Sequence, residues 1–191
     1  KSNRYTMGPK VKKFEEEFAQ YFGTNYGIMV NSGSSANLLM IASLFLSNEY
    51  DLNKGDEVIV PAVSWSTTYY PVSQYGLKLV FVDIDRTTLN IDIDEVIKAI
   101  NPKTKVIFAV NLLGNPCDFE RLQSLCNEKN IILIEDNCES LGAKYKKQYT
   151  GTFGIMGSFS FFFSHHMQTM EGGMIVTNSK KLYELCVSLR A

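Results

Sequence analysis

Five groups of residues combine types and spacings that could do chemistry. Ser32-Gly33-Ser34-Ser35 lies between a short apolar run and a helical segment. Backbone N–H groups at a helix start, a glycine that admits close approach and serine hydroxyls make a seat for an anion such as a phosphate. The same residues also suit an ordinary helix cap, through Ser34 or Ser35. Asp136 follows the apolar run Ile131–Ile134. A carboxylate at the C-terminal end of a parallel strand stands where open α/β sheets hold ligands; a helix cap or a surface acid is the alternative. Trp65, the single tryptophan, follows the strand that ends near Val60. It either stacks on a flat ligand or fills the core. His165 and His166, the only histidines, sit between Phe161 and Gly173. Imidazoles exchange protons near neutrality, since their ordinary pKa is about 6.5. Adjacent side chains of an extended segment point opposite ways, which makes the pair a poor joint metal site. The carboxylate pairs Asp83/Asp85 and Asp92/Asp94 have no histidine nearby to complete a transition-metal site. They read as turn and helix caps, and no metal is expected.

Alternating strand and helix signals must position these residues. Val11, Phe14, Phe18 and Phe22 recur at helical spacing within Gly8–Phe22, and Gly23 closes that helix. Tyr26–Val30 reads as a strand, and a helix apolar nearly all round is expected from about Ala36 to Leu46. Lys54-Gly55-Asp56 turns into the strand Glu57–Val60. Leu79–Val82, Lys105–Val110 and Ile131–Ile134 are short apolar runs of the kind found in parallel sheets covered on both faces. Asp94–Ile100 and Asp118–Lys129 read as helices, each opened by an aspartate cap. Ser158–Phe162 and Met174–Thr177 read as two further strands. A last helix starts at Ser179, with Leu182, Leu185 and Leu189 on one face. The order predicts an α/β fold with a mostly parallel sheet.

Composition narrows the function classes. The chain has 191 residues, 45% of them hydrophobic, which is globular composition. Nineteen Lys+Arg against 20 Asp+Glu give a net charge of −1, so no basic excess exists to hold nucleic acid. The longest strongly apolar run, Leu38–Leu46, is half of what a membrane span needs. Cys117, Cys126, Cys138 and Cys186 form no C-x-x-C pair, so neither a zinc ribbon nor a dense disulfide framework fits, and reduced thiols in a cytoplasm are expected. The chain opens on Lys rather than Met, and its last helix has no stop signal. Both features lead to the expectation that residues 1–191 are a fragment.

Taken in order, the Ser-Gly-Ser turn before a helix, Pro61–Pro71 around Trp65, Asn111–Pro116, Glu135–Ser140, Ser158-Phe159-Ser160 and Glu171-Gly172-Gly173 resemble the DegT/DnrJ/EryC1/StrS family of sugar aminotransferases. The resemblance covers essentially the whole chain and implies an aspartate-aminotransferase-type (fold type I) large domain, a mostly parallel mixed sheet between helices, with pyridoxal or pyridoxamine 5′-phosphate as cofactor. Residues 1–191 would be the N-terminal part of that domain, and the rest of it and a small C-terminal domain would lie outside the chain. Six residues before the Glu of Glu-Gly-Gly, where the family carries its cofactor-binding lysine, stands His165. In that family a histidine here marks the dehydratase branch, and the runs 61–71, 111–116 and 135–140 with the histidine segment resemble most its enzymes acting on GDP-4-keto-6-deoxymannose in deoxysugar biosynthesis. L-glutamate would supply the amino group to the cofactor, His165 would be the base, and ammonia would be released. Gly33, Ser34 and Ser160 would hold the cofactor phosphate, Trp65 would stack on its ring, and Asp136 would pair with the ring nitrogen. Glu139 stands where relatives often carry Gln near the ring hydroxyl. The resemblance further implies a homodimer. Two alternatives accompany it: an iron–sulfur 3-dehydrase of a CDP-linked sugar, with Cys138 among its cluster ligands, and a binding protein of the same fold that has lost catalysis.

Overall fold

The computed structural model describes residues 7–190. Helix α1 (Pro9–Phe22) begins with proline at its first turn and ends on Gly23 at φ 72°. That left-handed conformation suits glycine. Strand β1 (Tyr26–Val30) leads into α2 (Gly33–Leu46). Then come β2 (Glu57–Pro61), α3 (Tyr70–Gln74), β3 (Lys78–Val82), α4 (Ile93–Ala99) and β4 (Thr104–Val110). They are followed by α5 (Phe119–Lys129), β5 (Ile132–Asp136), a two-residue-per-strand hairpin β6 (Lys144–Tyr145) and β7 (Gln148–Tyr149), β8 (Met156–Ser160), β9 (Gly173–Thr177) and α6 (Lys180–Arg190).

Seven strands form one sheet in the order β1-β9-β8-β5-β4-β2-β3. β9 runs antiparallel to β1 and β8, and the β8-β5-β4-β2-β3 pairings are parallel. The fold is therefore α/β with a mostly parallel mixed sheet. Alternate residues of the central strands feed two cores. Val58, Val60, Val106, Phe108 and Ile134 pack towards α2 and α6, whereas Ile59, Ile107, Ala109 and Leu133 pack towards α4 and α5. This period of two explains the unbroken apolar runs, since both faces are covered. A third cluster joins Phe18 and Phe22 of α1 to Phe159 and Phe161.

Several boundaries differ from the sequence expectation. α2 starts at Gly33 rather than Ala36, because the Ser32 hydroxyl accepts the Ser35 N–H at 3.1 Å and caps the helix earlier. α4 is capped by Asp92, not Asp94; its carboxylate accepts the N–H groups of Asp94 and Glu95. Asp118 caps α5 as read from sequence. β8 begins at Met156 and ends at Ser160, so Phe161 and Phe162 leave the sheet. Its Gly157 passes under Gly151, whose carbonyl oxygen lies 2.1 Å from where a Cβ would stand. The end of the last helix at residue 191 lies outside the described residues. Among the described residues no helix is long and apolar enough to cross a membrane.

Candidate cofactor site

Strands β1, β2, β4, β5 and β8 all point their C-terminal ends at one edge of the sheet. The loops beyond them enclose a cavity of about 390 Å³. At its floor lies the start of α2. The N–H groups of Gly33 and Ser34 have no partner among the described residues, because Ser32 takes only the Ser35 and Ala36 donors. A Cβ on Gly33 would meet Cys138 Sγ and Ser160 Cβ, both at 2.7 Å. Only glycine lets the helix start sit this close to Ser160. The cradle then offers two free N–H groups, the exposed Ser34 hydroxyl and the Ser160 hydroxyl, with the helix dipole behind them. Gly173 seals it from the other side, since a Cβ there would stand 2.3 Å from the Ser32 carbonyl. This packing gives the second glycine of the Glu-Gly-Gly run its reason.

Asp136 ends β5, is 6% exposed and lines the cavity. Its Oδ2 accepts from Asn37 Nδ2 at 2.7 Å and from Thr68 Oγ1 at 2.8 Å, while Oδ1 accepts the Cys138 N–H at 3.1 Å. Trp65 is 73% exposed, so the core reading does not hold; it stands in the cavity wall. Glu139 also faces the cavity and accepts the Leu113 N–H at 3.2 Å. Leu113 sits at φ 52°, a strained backbone for a leucine, held there by Glu139 on its N–H and by the Ser140 hydroxyl on the next one.

The segment after β8 closes the far wall. The His165 N–H donates to the Phe162 carbonyl at 3.0 Å, and the imidazole lies edge-on to the Phe162 ring at 6.3 Å. His165, Ser164 and Glu171 line the cavity, whereas the exposed His166 does not. No lysine is among the lining residues. The Cys138 thiol packs inward under Gly33 and lies 3.9 Å from Ser158 Oγ. Burial, with Asp136 adding to it, pushes its pKa well up. Asp83, Asp85 and Asp92 accept backbone N–H groups of their own turns, and Asp94 pairs with Arg121.

Sequence reasoning assigned no role to several residues that build this site. Nothing in the sequence marks Asn37 and Thr68 as partners of Asp136 beyond the single amide side chain of α2, four residues after Gly33 and thus on its face. Glu135 is fully buried beside Asp136 on the opposite face of β5. Its Oε1 accepts the Phe153 and Gly154 N–H groups, and its Oε2 accepts the Gly151 N–H and the Asn111 amide. Burial raises its pKa to about 7 against the pull of those four donors. Glu135 thereby pins the loop that enters β8 and so Ser160. In Glu135→Gln an amide nitrogen replaces one oxygen, and two buried donors lose their acceptor at either position. The expected cost is about 2–4 kcal/mol of unfolding free energy, read by denaturant titration. A loss under 0.5 kcal/mol would contradict this role.

Comparison with known proteins adds to this geometry. The sequence model of the DegT/DnrJ/EryC1/StrS aminotransferase family matches residues 1–191. The chain is 56% identical over 190 residues to GDP-4-keto-6-deoxy-D-mannose 3-dehydratase of Yersinia pseudotuberculosis, covering 100% of this chain and 48% of that protein. Among solved structures it is similar to the E. coli GDP-4-keto-6-deoxy-D-mannose-3-dehydratase with bound hydrated PLP, at TM-score 0.95 and 56% identity, over 97% of this chain and 48% of that one. A structure of GDP-4-keto-6-deoxymannose-3-dehydratase with a trapped PLP–glutamate geminal diamine superposes equally, at TM-score 0.95 and 55% identity, over 97% of this chain and 48% of that one. The chain spans about half the length of the relatives it matches.

Proposed function

The chain belongs to the DegT/DnrJ/EryC1/StrS aminotransferase family, and from that premise we propose that it carries the cofactor site of a pyridoxal-phosphate-dependent 3-dehydratase. Its substrate is GDP-4-keto-6-deoxy-D-mannose, with L-glutamate as amino donor and ammonia as by-product. One observation carries the reading: the cavity combines an anion cradle, a buried carboxylate and an exposed indole with a histidine, and no lysine lines it. Residues 1–191 are read as part of the large cofactor-binding domain.

The residues present fit the cofactor. Gly33 and Ser34 N–H groups, with the Ser34 and Ser160 hydroxyls, bind its phosphate. Asp136 pairs with the ring nitrogen, Trp65 covers a ring face, and Glu139 faces the ring hydroxyl. Bound pyridoxal phosphate supplies an electron sink and, in its amine form, the nitrogen that engages the C4 ketone of the sugar. His165 takes a proton at the C4′ carbon and delivers one to the departing 3-hydroxyl, work suited to a group that exchanges protons near neutrality. Lacking an amine, His165 holds no covalent bond to the cofactor, so retention falls on the cradle, Asp136 and Trp65.

A homodimer completes the site in this reading. Trp65, Leu113, Phe163 and Met170 are exposed large apolar side chains around the cavity, which a second copy would cover. The free cysteines, three of them buried, support a cytoplasmic setting.

The test supplies the protein at its full native length with pyridoxal phosphate, L-glutamate and GDP-4-keto-6-deoxymannose. One ammonia and one 2-oxoglutarate per 3-deoxy-4-keto sugar are expected. A 4-amino sugar formed without ammonia would replace this reading by aminotransfer.

A further inference from the structure

Asp136 is held by more than its place at the end of β5. Asn37 on α2 and Thr68 in the turn after Trp65 are both fully buried, and both donate to the same oxygen, Oδ2. Oδ1 accepts one backbone N–H, from Cys138. The orientation of each donor is fixed in turn. Ser158 Oγ donates to Asn37 Oδ1 at 2.6 Å, so the Asn37 NH₂ must face Asp136. Thr68 has a single hydroxyl proton, and it goes to Asp136; Ser64 therefore donates to Thr68 Oγ1 at 2.8 Å. Burial pushes up the Tyr69 phenol and the Cys138 thiol, and Asp136 pushes both further, while Glu139, His165 and Glu171 line the same cavity.

We propose that Asn37 and Thr68 are positioning residues that keep the shared proton on the cofactor ring nitrogen: by saturating Oδ2 of Asp136 they fix its rotamer and leave Oδ1 to face the ring. The inference rests on the reading of Asp136 as partner of the ring nitrogen. Two buried donors on one oxygen hold the carboxylate in a single orientation, and loss of either loosens the hydrogen bond through which it keeps the ring N–H in place. Loss of one such donor is expected to lower the ratio of pyridinium to pyridine by about tenfold. Neither side chain touches the phosphate cradle, so the effect is separate from phosphate retention.

The experiment uses the protein at its full native length, loaded with pyridoxal phosphate carrying 15N in the ring, and reads the 15N chemical shift at fixed neutral pH. Wild type is expected near the pyridinium position. The isosteric Thr68→Val moves the shift towards the pyridine position, Asn37→Leu does the same, and Thr68→Ser restores the wild-type value. A purely structural role would change thermal stability without this signature and would not separate Val from Ser. A wild-type shift in both Thr68→Val and Asn37→Leu, with cofactor bound, overturns the inference while leaving Asp136 in place. A wild-type shift in Asp136→Asn as well removes the reading of Asp136 itself, and this inference with it.

Discussion

Replacing His165 by asparagine is expected to lower the rate of 3-hydroxyl loss by about a thousandfold or more, with fold and cofactor affinity retained. Proton transfer by a positioned side chain is worth roughly 10²–10⁴ in rate, and asparagine cannot exchange a proton near neutrality. The structural cost is small. The imidazole makes an edge contact with Phe162 and, among the described residues, no side-chain hydrogen bond, while the backbone turn is closed by the His165 N–H. Asparagine fills similar space and keeps that N–H. The expected pattern is therefore a collapse of kcat beside an unchanged melting temperature and unchanged cofactor binding. His165→Lys should do the reverse of silence: it places an amine in a cavity that has none. Borohydride should then fix the cofactor to residue 165 by mass, which it cannot do in wild type. Elimination by His165→Asn at close to the wild-type rate would take the proton transfer away from His165. His166 would be a poor successor, since it is exposed and outside the cavity lining.

The layout of this site was legible where local chemistry decides it. The anion cradle follows from a glycine between serines at a strand-to-helix junction, and the carboxylate from its place at a strand end; both are short-range patterns. The cap of α2 was not, because Ser32, Ser34 and Ser35 are equally good cap residues and only the backbone path selects Ser32. The exposure of Trp65 was hidden for a different reason: its composition favours burial, and the cavity that exposes it is made by five loops distant in sequence. Asn37 and Asp136 are 99 residues apart, and the pairing of Glu135 with Gly151–Gly154 depends on β5 and β8 being neighbours. The hairpin β6–β7 leaves almost no mark, since two residues per strand carry no period. The sheet order and the reversal of β9 likewise rest on pairings that no single segment encodes.

Asp136→Asn is expected to slow the glutamate half-reaction by about a hundredfold while weakening cofactor binding by less than about tenfold. The hydrogen bonds already present dictate how the new amide must lie. Oδ2 faces two buried donors, Asn37 and Thr68, and Oδ1 faces one, the Cys138 N–H. An NH₂ placed at the Oδ2 position would set three donors against each other. The amide oxygen therefore stays there, and the NH₂ takes the Oδ1 position, which in the proposed reading meets the ring. A donor now points at the ring nitrogen, which can meet it only with its lone pair, so the ring binds unprotonated. An unprotonated ring withdraws electrons poorly, and the lost charge-assisted pair is worth about 3 kcal/mol, or roughly a hundredfold in rate. Binding suffers less, because the neutral ring still makes a hydrogen bond and the phosphate keeps the N–H groups of Gly33 and Ser34 and the Ser160 hydroxyl. Stopped-flow absorbance of the half-reaction and equilibrium titration of pyridoxal phosphate separate the two quantities. A rate that holds while binding collapses would make Asp136 an anchor for the cofactor rather than the group that tunes its ring.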